Sequence, residues 1–170
     1  TGNLLEREEI LQVARQWGKI VVVDEAYVEF SQEPSLVAEI DTVPNLILLR
    51  TLSKAFGRAG IRLGYGVSSP EIVAQFMKVK APYNLSSLSM EEGCGVMGEP
   101  DQYLAQVREI RRERERVAES LMGMEQIEEV FPSQANFLLF RCPEAALVYS
   151  QLLKKGIIVR DRSSLKNLGN

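Results

Sequence analysis

Lys54 and Arg62 share one stretch, Leu49-Arg50-Thr51-Leu52-Ser53-Lys54-Ala55-Phe56-Gly57-Arg58-Ala59-Gly60-Ile61-Arg62-Leu63-Gly64-Tyr65-Gly66, with hydroxyls at Thr51 and Ser53. Desolvation disfavours an ammonium, so a lysine in apolar surroundings is a candidate nucleophile toward a carbonyl. Lys54 lies in the turn between an apolar run at Leu46–Leu49 and a second one that opens near Leu63. Arg62 offers a planar fork of donors suited to a phosphate, and Gly57 and Gly60 let backbone approach a ligand closely. On residue type alone, Lys54 and Arg62 read as solvated loop charges, and only their context overturns that.

Upstream, Ile20-Val21-Val22-Val23-Asp24-Glu25-Ala26-Tyr27 is a β-branched run that ends in a carboxylate. It has the pattern of a buried parallel strand at its carboxyl end, which is where ligands of open α/β sheets bind. An aspartate at that tip can keep a pyridinium nitrogen protonated, and Tyr27 can reach a phenolic oxygen on the same ring. Carboxylate, phenol, amine and guanidinium form one constellation.

The strings Asp24-Glu25-Ala26-Tyr27-Val28-Glu29-Phe30, Thr51-Leu52-Ser53-Lys54-Ala55-Phe56-Gly57 with Arg62, and Ala81-Pro82-Tyr83-Asn84 occur in order. Together they resemble the fold-type-I pyridoxal-phosphate aminotransferases, most closely the histidinol-phosphate aminotransferase branch. That resemblance implies an α/β fold: part of a large domain with a mostly parallel sheet and flanking helices, plus part of a small C-terminal α/β domain. It implies pyridoxal 5'-phosphate as cofactor, with Lys54, Asp24 and Tyr27 catalytic and Thr51, Ser53 and Arg62 on the phosphate. Arg160 is implied to bind the substrate's phosphate. The implied substrates are a phosphorylated amino alcohol, histidinol phosphate, and 2-oxoglutarate, in histidine biosynthesis. The resemblance further implies a cytoplasmic homodimer, with the segment from Ala81 near the interface. Threonine-phosphate decarboxylases and aromatic aminotransferases share much of the pattern.

Those elements have to be positioned by the rest of the chain. Its 170 residues, 45% hydrophobic and 25% charged, suffice for one good core or two small ones. A net charge of −3 without a basic stripe gives no reason to expect nucleic acid, and no apolar run is long enough for a membrane span. Histidine is absent, which removes Ser-His-Asp and Cys-His catalysis and most zinc-hydrolase schemes. Cys94 and Cys142 lack the spacing of a metal site or a disulfide framework, so no metal is expected. Gly57 and Gly60 lack the G-x-G-x-x-G spacing of a dinucleotide site.

In chain order, periodicity predicts a helix over residues 4–17 capped by Asn3 and stopped by Gly18, then the strand ending at Asp24. A short helical stretch is expected from Pro34, strands at Leu46–Leu49 and Leu63–Val67, and a helix from Pro70 to Lys78. Glycines 93, 95 and 98 weaken any helix starting near Ser87. A long helix at 101–122 carries alternating charges, with pairs such as Glu109/Arg112 and Arg111/Glu115 that read as a solvated face. Strands are expected at 127–131 and 136–140, a helix at 145–155 and a last strand at 157–160.

The domain boundary is placed near residue 98, giving 1–98 and 99–170. Thr1-Gly2-Asn3 resembles the tail of the family string N-P-x-N-P-T-G-N, and the chain closes at Leu168-Gly169-Asn170 where the family continues into another strand. The resemblance therefore implies a fragment lacking an amino-terminal half and a C-terminal tail, which leaves open an inert folded fragment.

Overall fold

Helix α1 (Arg7–Trp17) ends at Gly18, whose φ of 64° lies in the left-handed region, and strand β1 (Val21–Asp24) follows. A β-carbon is disfavoured at that angle, so Gly18 ends the helix as expected. The structure, a computed structural model, describes residues 2–165; Thr1 and residues 166–170, the ends of the two expected domains, lie outside the described residues. Glu6, not Asn3, flanks α1, and its side chain makes no capping bond. Glu8 and Glu9 sit in the first turn, where negative charge favours the helix N-terminus.

Strand β2 (Leu46–Thr51) runs parallel to β1, with Val21 opposite Leu46 and Asp24 opposite Leu49. Strand β3 (Gly64–Ser68) returns antiparallel, with Thr51 opposite Gly64. Its direction follows from the connection: the chain between β2 and β3 holds only a turn and a 3-10 helix, Ala59–Ile61. A parallel return needs a long crossover. Between β1 and β2 the chain forms two 3-10 helices, Val28–Phe30 and Leu36–Glu39, the second capped by the Ser35 hydroxyl accepting from the Val37 amide.

Strand pleating sorts the side chains onto two faces. Val21, Val23, Leu46, Leu48 and Val67 meet Leu11 and Ala14 of α1, together with Leu36, Ile40 and Val43. On the opposite face Val22 and Leu49 are 55% and 43% exposed, beside the exposed Asp24 and the side-chain-free Gly64 and Gly66. A second core joins Phe30, Leu52, Ala55, Phe56 and Val107, each fully buried apolar side chain contributing about 1.5–3 kcal/mol. This core anchors the lysine turn.

Helix α2 (Pro70–Val79) starts on a proline, and α3 (Ser87–Gly98) is capped by the Ser86 hydroxyl accepting from the Ser89 amide. The glycines do not prevent α3. Gly93 is buried, and a β-carbon there would lie 3.1 Å from Leu63 Cδ1, so tertiary packing against the turn overrides local propensity. Helix α4 (Pro100–Met122) carries exposed Arg112–Glu109 and Arg116–Glu113 ion pairs. One part of the solvated-face expectation fails. Arg114 is 8% exposed and donates from Nη1 to the carbonyls of Phe30 at 3.3 Å and Ala135 at 2.8 Å.

Strands β4 (Glu129–Val130) and β5 (Phe140–Arg141) pair antiparallel, shorter than the expected 127–131 and 136–140. Helix α5 (Ala145–Lys154) is followed by Gly156 at φ 77°. Residues 157–160 form no strand, with Ile157 and Ile158 exposed. Among the described residues no strand pairs with this segment, and the Ile157 amide instead donates to the Leu152 carbonyl at the end of α5, so the apolar run forms no strand.

Candidate active site

Parallel pairing puts the carboxyl ends of β1 and β2 at the same edge of the sheet. Antiparallel pairing brings the start of β3 there too, so Asp24, the Thr51–Lys54 turn and Arg62 converge. The turn is tight: the Gly57 amide donates to the Lys54 carbonyl and the Arg58 amide to that of Leu52, with Gly57 at φ 67°. Leu52, Ala55 and Phe56 take its inward positions. Lys54 therefore faces outward. The expectation of an apolar environment is not met, because Lys54 is exposed, while its Nζ lies 5.4 Å from the Tyr27 ring centroid, within cation–π range.

Tyr27 is held in turn by Phe137, edge to face with centroids 5.6 Å apart. The chain from 123 onward thus contributes to the site's wall. Asp24 Oδ1 accepts from the Ala26 amide at 3.0 Å, a turn contact that sets the carboxylate's direction.

Thr51 Oγ1 accepts from the Ser53 amide at 3.1 Å and lies 3.5 Å from the Leu63 carbonyl, so this hydroxyl shapes its own turn. Arg62 is exposed and is the one non-glycine residue at positive φ among the described residues, 54°. A side chain in that region is strained, and such outliers concentrate where a ligand is gripped. Its Nη1 donates to the Ala59 carbonyl at 2.9 Å, leaving the rest of the fork facing outward. Arg160 is exposed, with no hydrogen bond or ion pair to tie it to this edge. Its neighbour Asp161 accepts from the Ser163 amide and hydroxyl, which hold the carboxyl below its usual range.

Sequence reading missed the group behind this edge. Arg50 on β2 binds Glu25 at 3.3 Å and Glu29 at 2.6 Å, and Glu25 also accepts from the Ser35 hydroxyl and the Leu36 amide. Burial alone would lower the Arg50 pKa; the hydrogen bond and charge of Glu29, with Tyr65 and Glu25, outweigh it and raise it. The signal was present: a charged residue inside an otherwise apolar strand needs a partner.

The donor set suits a phosphorylated aromatic aldehyde: an amine, a carboxylate, a phenol and a guanidinium on one edge, beside a sheet face whose Gly64 and Gly66 carry no side chains. Residues 1–167 match the family described as Aminotransferase class I and II. The chain belongs to the class I and II aminotransferases. It is 43% identical to the histidinol-phosphate aminotransferase of Parabacteroides distasonis over 166 residues, 98% of this chain and 48% of that protein. The crystal structure of the histidinol-phosphate aminotransferase from Clostridium acetobutylicum has a TM-score of 0.88 at 30% identity, covering 100% of this chain and 53% of that one. That of L-threonine-O-3-phosphate decarboxylase from Porphyromonas gingivalis has 0.85 at 27%, covering 98% and 53%. This aminotransferase chain spans about half the length of these relatives. Its sheet and flanking helices are part of the fold-type-I α/β fold. Among its described residues there is no cluster fit to hold a metal ion and no helix long and apolar enough to cross a membrane.

Proposed function

We propose that the protein carrying this chain is a pyridoxal-phosphate-dependent aminotransferase. It moves the amino group of histidinol phosphate to 2-oxoglutarate, in histidine biosynthesis. The observation that carries this reading is the convergence of Asp24, Tyr27, Lys54 and Arg62 at one sheet edge, with Lys54 beside the Tyr27 ring.

Pyridoxal 5'-phosphate supplies an aldehyde and an electron-withdrawing ring that accepts the electron pair released at the substrate's α-carbon. Lys54 would be the amine that holds that aldehyde, and its free amine would carry a proton to and from the substrate's α-carbon. The Asp24 carboxylate would keep the ring nitrogen protonated, and the Tyr27 hydroxyl would donate to the ring oxygen. Arg62 would bind the phosphate with Ser53 and Thr51, whose hydroxyl also holds the turn that presents them. Arg160 would bind the substrate's phosphate. We place the boundary of the small domain near residue 98, at the junction of α3 and α4, with the second copy of a homodimer completing the site near Ala81.

A decarboxylase of threonine phosphate would use the same lysine and carboxylate, and the similarity to the Porphyromonas gingivalis structure favours keeping it as a second reading. The test loads the full-length protein with pyridoxal 5'-phosphate, reduces it with borohydride and maps the labelled peptide. Label on Lys54, lost in Lys54→Ala, supports the reading; label on another lysine overturns it. Glutamate formed from histidinol phosphate and 2-oxoglutarate identifies the aminotransferase, whereas carbon dioxide from threonine phosphate identifies the decarboxylase. An Asp24→Asn variant that retains cofactor but loses turnover about 100-fold or more assigns the ring-nitrogen role to Asp24. A folded protein with no label is the inert outcome.

A further inference from the structure

Arg50 lies one residue before Thr51 on the strand that leads into the lysine turn, and its guanidinium points away from the open sheet face. The register places it opposite Tyr65, on the side of Leu48 and Val67. There one arm reaches Glu25 Oε2 at 3.3 Å and Ser35 Oγ at 3.4 Å, and the other reaches Glu29 Oε1 at 2.6 Å. The three charged side chains are nearly enclosed: 17% exposed for Arg50, 6% for Glu25 and 9% for Glu29. Arg50 Nε is buried without a hydrogen bond. An unsatisfied buried donor is costly, so the two carboxylates and not the guanidinium's own optimum set the pose.

Glu25 and Glu29 flank Tyr27 in sequence, and Glu25 directly follows Asp24. One planar fork therefore grips both sides of the segment that presents the carboxylate and the phenol. The same residue belongs to the strand that presents Thr51, Ser53 and Lys54. No other ion pair among the described residues joins β1's trailing segment to β2. A lysine has a single point charge and lacks the fork that spans two carboxylates.

We propose that Arg50 is a positioning residue that, through Glu25 and Glu29, locks the Asp24–Tyr27 segment against the Thr51–Lys54 turn. It sets the separation of Tyr27 and Lys54 and, on the function proposed above, the pose of the bound cofactor. It touches neither cofactor nor substrate. The Ser35 hydroxyl and Leu36 amide complete the coordination of Glu25 from the far side, so the lock is closed without any group from the open face.

The test uses the full-length protein with Arg50→Lys and Glu29→Gln, and Ala14→Gly in the α1 core, which touches none of the three charged groups, as a stability control. Amide exchange is followed without cofactor, and cofactor affinity and visible circular dichroism per bound cofactor are measured with it. In Arg50→Lys and Glu29→Gln, exchange should rise about tenfold at both 25–30 and 51–57 with α5 unchanged. Cofactor affinity should fall about tenfold and the dichroism per bound cofactor should drop. Ala14→Gly should lower the melting temperature without moving the dichroism. The proposal is overturned if the Arg50 and Glu29 variants lose melting temperature while affinity and dichroism stay unchanged, or if exchange rises in one segment only. Borohydride label away from Lys54 in the unsubstituted protein rejects the functional reading instead, and the cofactor-free exchange then decides the lock on its own.

Discussion

The Lys54 ammonium lies 5.4 Å from the centroid of the Tyr27 ring, although the two residues sit in turns that leave different strands. Tyr27 thus has two separable parts: a ring packed between Lys54 and Phe137, and a hydroxyl that makes no hydrogen bond to a described residue. Tyr27→Phe should keep the ring contacts and change unfolding free energy by less than about 0.5 kcal/mol. In the full-length protein it should weaken pyridoxal 5'-phosphate binding about tenfold. Tyr27→Ala should cost about 2 kcal/mol of stability in addition, through lost packing. Urea unfolding with a cofactor titration separates the two, and an affinity loss in Tyr27→Ala with none in Tyr27→Phe would assign the effect to the ring.

Arg62 adopts φ 54°, where a β-carbon is crowded. Arg62→Ala and Arg62→Gly both remove the guanidinium and its bond to the Ala59 carbonyl, but only glycine relieves the backbone. Arg62→Gly should therefore be more stable than Arg62→Ala by about 1 kcal/mol. Both should weaken cofactor binding to the same extent, since both lose the phosphate contact proposed for Arg62. An Arg62→Gly variant with unchanged cofactor affinity would take Arg62 out of the phosphate site.

Local rules made much of this legible. The β-branched run to Asp24, the glycine stops at Gly18 and Gly156 and the proline starts of α2 and α4 each depend on a few adjacent residues. The candidate site residues stand out in the sequence because Asp24, Tyr27, Lys54 and Arg62 cluster in two short strings. What the sequence hid depends on pairing across distance. Lys54 is exposed because Leu52, Ala55 and Phe56 take the buried positions of its turn. Ile157 and Ile158 look like a strand by composition, yet pair with no strand among the described residues. The charge run on α4 concealed one buried arginine among exposed ones. Arg114 follows Val107 by seven residues and so shares its helix face, but an arginine's residue type argues for solvent.

That arginine carries a stability prediction. Arg114 Nη1 donates to the Phe30 and Ala135 carbonyls, joining α4 to the segments that hold Tyr27 and Phe137 in place. Its weak contact with Glu115, at 3.8 Å, adds little. Arg114→Leu keeps comparable bulk but leaves two carbonyls without their donor, and should destabilise the chain by about 2–4 kcal/mol. Arg116→Ala, which breaks only the exposed pair with Glu113, should leave the urea midpoint unchanged. Similar midpoints for the two variants would show that the Arg114 bonds contribute no more than a surface pair does.

Burial raises the Tyr65 phenol above its ordinary range; Arg50 opposes that shift, while Glu29, Tyr103 and Glu25 add to it. The folded chain therefore holds the Tyr65 proton to higher pH than the unfolded chain does. Below the unfolded value, about 10, both states are protonated and the full stabilisation is present. As pH rises through the folded value the unfolded state has already released its proton, binds fewer protons than the native state, and gains in relative stability. Unfolding free energy should thus fall with rising pH above about 10, and Tyr65→Phe should flatten that decline while leaving the slope near neutrality unchanged. Urea unfolding across the alkaline range checks it. An equally steep decline in Tyr65→Phe would place the alkaline sensitivity elsewhere, and would mean that the Tyr65 phenol, beside Arg50, is not held neutral by the fold.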